Sequence, residues 1–131
     1  MKQSNIRFTS PFIKRIFYEI NNEFPENDQP LNVDNSFNVR VSKDGEDNLA
    51  IVELDITLGN EELKDNVPFY INMTVGAMFS WDNVYDNETV QVLLSVNAPS
   101  LLLGYARPIV STITSMSPYP SYNIPFYNFT E

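Results

Sequence analysis

Apolar and polar residues alternate in three stretches of the chain, and each alternation predicts a strand. Ser36–Lys43 turns Phe37, Val39 and Val41 to one side, and Ala50–Gly59 does the same with Val52, Leu54, Ile56 and Leu58. Glu53, Asp55 and Thr57 take the opposite face of that second stretch, so the face should be wet. Val67–Phe79 sets Phe69, Ile71, Met73 and Val75 inward and Tyr70, Asn72 and Thr74 outward, with Gly76 marking a bulge or a close backbone approach. Asp44-Gly45 and the polar Gly59–Asn66 read as hairpin turns between them. An earlier stretch, Ile6–Asn22, is apolar on both faces: Phe12, Lys14, Ile16, Tyr18 and Ile20 alternate with Ile13, Arg15, Phe17 and Glu19. It predicts a bent strand, broken or edged near Pro11, that is covered by a helix on one side and a neighbouring subunit on the other. Asn21–Asn35, with Pro25 and Pro30, is a polar connection whose large apolar residues are Phe24, Leu31 and Val33. In sequence, these four strands make an antiparallel meander.

The period then changes. Glu88–Val96 fits a strand through Val90 and Val92, or a helix through Val90, Leu93, Leu94 and Asn97 capped by Thr89 or Asn87. From Pro99-Ser100, a good helix start, Leu102, Tyr105, Ala106, Ile109, Ile113 and Met116 recur at steps of three and four and share one face. The opposite face holds Gly104, Pro108, Ser111 and Ser115, and Arg107 is the only charge between Pro99 and Tyr122. A solvated helix carries charges outward; small uncharged residues there instead admit another backbone, which predicts burial on both sides at a subunit interface. Pro108 should kink this helix. Ser117–Phe129 follows as an extended strap with three prolines and five aromatic residues. Tyr119, Tyr122, Phe126, Tyr127 and Phe129 either line an aromatic groove or cap the core.

Composition narrows the chemistry. With 131 residues and 43% hydrophobic content the chain is long enough for a single globular domain. Seventeen acidic residues against eight basic ones give a net charge of −9, which argues against nucleic acid and anionic membranes and for partners with basic segments. There is no cysteine and no histidine. Disulfides, thiolate chemistry and zinc–sulfur sites are excluded, and the commonest general base is missing, so the expectation is a protein that is not an enzyme and takes no cofactor or metal. No phosphate loop, nucleophile elbow or dinucleotide fingerprint occurs. No apolar run reaches the roughly 20 residues of a membrane span, and the N-terminus lacks a signal peptide's apolar stretch, so a cytoplasmic location is expected.

Pro99-Ser100-Leu101-Leu102-Leu103-Gly104-Tyr105-Ala106-Arg107, then Ile109, Thr112, Ser115-Met116, Pro120 and Asn128-Phe129, resemble the SecB export chaperones and their relatives. Phe69–Phe79 resembles that family's third strand, its ending matched by Gly76-Ala77-Met78-Phe79. The resemblance implies an α+β fold over residues 1–131, a four-stranded antiparallel sheet with a crossover connection packed against a long C-terminal helix, and it makes Glu88–Val96 a short helix. It implies a holdase that binds unfolded or precursor polypeptides, for export or to protect a client such as an antitoxin. The alternative is a scaffold of the same fold that has lost client binding. Phe24, Phe79, Trp81, Tyr119, Tyr122, Phe126, Tyr127 and Phe129 would form the client groove. Gly104, Arg107, Pro108, Ser111 and Ser115 would form the interface of a homodimer or homotetramer. In the family, carboxylates on the outer sheet face dock the translocase motor's basic tail. Here Glu53 and Asp55 keep that face acidic, but Asn72 stands where one such acid would be, with Tyr70 in place of a leucine, which counts against motor docking. Family chaperones continue past the Asn-Phe pair into a second helix, whereas this sequence ends at Glu131, so a shallower or more open groove is expected.

Overall fold

The inward-facing residues of the strands meet in one antiparallel sheet, seen in a computed structural model that describes residues 6–25, 33–43, 45, 47–63 and 67–130. Its strands are β1 (Ile6–Phe8), β2 (Phe12–Ile20), β3 (Asn35–Lys43), β4 (Leu49–Gly59) and β5 (Phe69–Trp81). β3, β4 and β5 form the expected meander, whereas β1 and β2 both pair with β5 on its other side, reached by the crossover connection. Pro30, Leu31 and Asp44 lie outside the described residues. The sheet has five strands where four were expected, because the first breaks at Thr9–Pro11: proline cannot donate to the ladder. The two halves stay in line because the Thr9 amide donates to the Met78 carbonyl (3.0 Å) and the Met78 amide donates to the Thr9 hydroxyl (3.1 Å).

Register places the core. Leu54 faces Val75, Ile56 faces Met73 and Leu58 faces Ile71, and all six are fully buried. Gly59 has φ of 80°, and a Cβ there would lie on the Phe69 carbonyl, so only glycine fits this turn. β2 carries a register shift between Ile13 and Arg15, which changes the predicted alternation. Ile13 joins Ile16 on the core side, while Phe12, Arg15 and Phe17 share the outer face.

The ambiguous segment is helical. α1 (Asn87–Val92) passes through a π-turn at Leu93–Asn97 into α2 (Ala98–Ser115), so the helix is continuous over 29 residues. Its cap is Asp86, which accepts from the Thr89 amide at 2.7 Å and was not among the expected caps. Ser100 does not cap α2; its hydroxyl donates back to the Val96 carbonyl at 2.8 Å. The π-turn widens the helix just before Pro99, which has no N–H to give and whose ring crowds the preceding turn. By length and composition alone this helix could cross a membrane, contrary to the sequence reading, yet α2 buries a full stripe on β4 and β5.

That stripe is Ala98, Leu102, Leu103, Ala106, Val110 and Thr114. Tyr105 and Met116, expected inside, are exposed. Three consecutive leucines leave the phase of the pattern open, and a threonine settles it. The Thr114 hydroxyl donates to the Val110 carbonyl and accepts from the Tyr122 amide, both at 2.8 Å, so its polarity is satisfied inside the core. α2 runs unbroken through Pro108, which faces outward.

Candidate apolar groove and outer sheet face

α2 covers β4 and β5 and leaves the β1–β2 edge largely open on the same side of the sheet. At the far end of β5 this produces an apolar cavity of about 260 Å³, walled by Ile6, Phe8, Phe79, Trp81, Leu94 and Leu101. Phe8 stacks near Phe79, with ring centroids 5.9 Å apart, and remains half exposed. Ile13 and Ile16 carry the same face along β2 opposite Val75 and Met73, and each is also exposed. The result is a trough with the edge strand on one side and the helix on the other. Of the residues expected in a groove, Phe79 and Trp81 lie here. Phe8, Leu94 and Leu101 were missed, although Phe8 shares its strand face with Ile6, and this parity was readable.

The remaining groove residues gather elsewhere. Phe79 and Phe69 are ten positions apart on β5, roughly 33 Å in an extended strand. At the Phe69 end, Tyr119 stands edge-on to Phe24 (5.3 Å) and its hydroxyl donates to the Asn21 carbonyl. Tyr122 packs on Phe69 (5.8 Å) and donates to Asn35 Oδ1 at 2.9 Å. Both tyrosines are buried, as is Ile124 between them and the end of the strap. Tyr127 and Phe129 cluster on Phe37 of β3, with centroids 4.6 and 6.1 Å from it. Phe126 is 92% exposed. The strap therefore closes one end of the core, and seven of the eight residues fall into three separate groups while Phe126 stands apart in solvent.

On the outer side of α2, Gly104, Pro108 and Ser115 are exposed, and a Cβ on Gly104 would meet no atom within 4 Å. Ser111 is half-buried. Arg107 turns to the strap instead, donating to the Ile124 carbonyl at 2.8 Å with its guanidinium 5.2 Å from the centre of the Phe126 ring.

The opposite face of the sheet is ionic. Arg40 on β3 holds Asp55 with two hydrogen bonds of 2.8 Å, and Thr74 donates to the same carboxylate at 2.7 Å. Arg40, then Thr74 and Asn38, hold the Asp55 carboxyl at about 2, well below its ordinary 3.8. Glu53 is paired with Lys14 (3.0 Å) and with Arg40 (3.4 Å). Both acids of the expected docking face are thus matched by cations, Arg40 from the adjacent β3 and Lys14 from β2 on the far side of β5. Arg15 donates to Asn72 Oδ1 at 2.7 Å. Among the described residues no group of three acidic, histidine or cysteine side chains is placed to hold a metal ion.

The family profile described as preprotein translocase subunit SecB matches residues 1–131. The protein-export protein SecB of Rickettsia akari is 34% identical over 89 residues, 66% of this chain and 56% of that protein, so this match spans little more than half of the relative's length. The protein-export protein SecB of Orientia tsutsugamushi (strain Boryong) is 25% identical over 133 residues, covering 98% of this chain and 81% of that one. Among solved structures, the Mycobacterium tuberculosis Rv1957 SecB-like chaperone, in complex with a ChAD peptide from the Rv1956 HigA1 antitoxin, superposes with a TM-score of 0.74 at 15% identity. The match covers 94% of this chain and 91% of that one, a likeness of fold.

Proposed function

The chain belongs to the SecB family, and from that premise we propose that it is a non-catalytic chaperone that holds non-native polypeptides in the trough between the β1–β2 edge and α2. The observation that carries this reading is the open apolar cavity beside Trp81, continued along β2 by exposed Ile13 and Ile16. An extended segment presents a side chain to one face every second residue, so it can fill such a trough without its sequence being read. Among the described residues β2 pairs on one side only, with β5, and its other edge adds backbone donors and acceptors that any unfolded chain can satisfy. Relatives named as export proteins favour precursors as clients, and the antitoxin peptide held by the M. tuberculosis neighbour favours a dedicated client of the same physical kind. The work would be done in the cytoplasm, before folding, by a dimer or tetramer joined through the small-residue face of α2.

The test is to mix the protein with a chemically unfolded, slowly folding client and follow both its light scattering and the mass of the complex. The wild type keeps the client soluble. Phe8→Ser weakens client binding by about tenfold, the equivalent of losing part of one buried aromatic side chain. Phe126→Ser, at the exposed strap, leaves binding unchanged. The opposite ranking would move the client site to the strap, and a wild type that ignores the client would leave a scaffold that kept only the fold.

A further inference from the structure

The outer sheet face lies on the other side of the sheet from the trough, and nothing in the chaperone reading uses it. Three cations, Lys14, Arg15 and Arg40, converge there on an open cavity of about 450 Å³, together with Asp55, Asn72 and Thr74. Two carboxylates serve them: Asp55 takes Arg40, and Glu53 is shared between Arg40 and Lys14. Arg15 makes no ion pair among the described residues and bonds only a neutral amide oxygen. Around the cavity itself the balance is three positive against two negative, with exposed Glu19 further along β2 opposite Tyr70, on a chain whose overall charge is −9. The acids here act as anchors that hold the guanidinium and ammonium groups in place.

Apolar groups flank this spot along the strand direction. Toward one end Phe17 and Tyr70 pair with ring centroids 5.7 Å apart, Phe17 half exposed. Toward the other, the Phe12 ring lies against Gly76, where a Cβ would stand 3.1 Å from its tip, and exposed Ile51 and Met78 lie beyond. Tyr70 and Met78 are each four positions from Thr74 on β5, about 13 Å at extended spacing. We propose that this face docks an extended acidic segment of a partner protein, seating a carboxylate against Arg15 and placing apolar side chains about four residues to either side. A basic segment would meet Lys14, Arg15 and Arg40 with both acids already taken, so the sign of the partner is opposite to that suggested by the protein's net charge.

The test uses the whole protein, isotopically labelled, and two short fluorescent peptides that alternate Phe with Glu or Phe with Lys. The Glu peptide should shift the amides around Arg15, Arg40 and Asn72, and raising the salt concentration should weaken it strongly. Arg15→Glu should weaken it by about tenfold while Phe8→Ser leaves it unchanged, which separates this face from the trough. Arg15 is exposed, and Arg15→Ala provides a milder variant that should fall between the two. The proposal is overturned if the Lys peptide perturbs the same amides equally, or if Arg15→Glu has no effect. A salt-sensitive self-association abolished by Arg15→Glu would also overturn it, making the occupant a second copy of the chain.

Discussion

At the scale of single residues, Asp55 has a clear thermodynamic signature. Its folded carboxyl titrates at about 2 against an ordinary 3.8, chiefly because Arg40 bonds the ionised form. A depressed folded value means that the stabilisation is fully present above 3.8 and is lost as pH falls towards 2. The displacement corresponds to about 2 kcal/mol as an upper figure for this largely covered group. Asp55→Asn should therefore destabilise the protein near neutral pH, and the difference from wild type should shrink between those two values. Denaturation midpoints measured across the window check it, and a penalty that stays constant would mean that Arg40 does not hold the ionised form. The alternation that put Glu53 and Asp55 on one outward face was legible in the sequence. Their neutralisation was not, because the sequence does not state that Arg40 lies opposite Glu53 across the β3–β4 pair.

Among the elements, the strands were the easiest to read and the helix phase the hardest. In β4 and β5 one face of a period-two pattern is buried, so a wrong register there would expose every apolar side chain at once. The bulge at β2 escaped, since one extra residue leaves no mark in an alternation that is apolar on both sides, and so did the split of the first stretch into two strands that both pair with β5. The α2 stripe was misplaced because Thr114 reads as polar and Tyr105 as apolar, and only tertiary partners reverse them. Thr114 also joins the helix to the strap by accepting the Tyr122 amide. Thr114→Val removes that acceptor and leaves a buried N–H unpaired, a loss of about 1–3 kcal/mol. Hydrogen exchange at Tyr122 should accelerate in the variant, and unchanged stability would mean that the strap is held by its rings alone. Those rings separate into groups because the strap crosses the whole end of the sheet, a path that proline content alone does not predict.

For the whole molecule, the decisive feature is that one helix is too narrow to cover the sheet beneath it. α2 covers the middle, the strap closes one end, and the β1–β2 edge remains available. The outward side of α2 has open space at Gly104. If that face is the oligomer interface proposed above, Gly104→Leu should lower the assembly's mass on a sizing column. The same change should leave the protomer as stable or more so, by about 0.5–1 kcal/mol from helix propensity. An unchanged mass would place the subunit contact on another surface.

The interruption at Thr9–Pro11 has a consequence for the life of the protein in a crowded solution. A long, straight, greasy sheet margin invites copies to stack without limit, and fibrils grow on such templates. Here the margin is cut into a three-residue and a nine-residue piece, and the proline between them can offer no hydrogen to an incoming strand. The net charge of −9 adds a general repulsion between copies at a distance. If this edge is the client surface proposed above, its short pieces limit how far another chain can pair along it, which works against the growth of stacked copies.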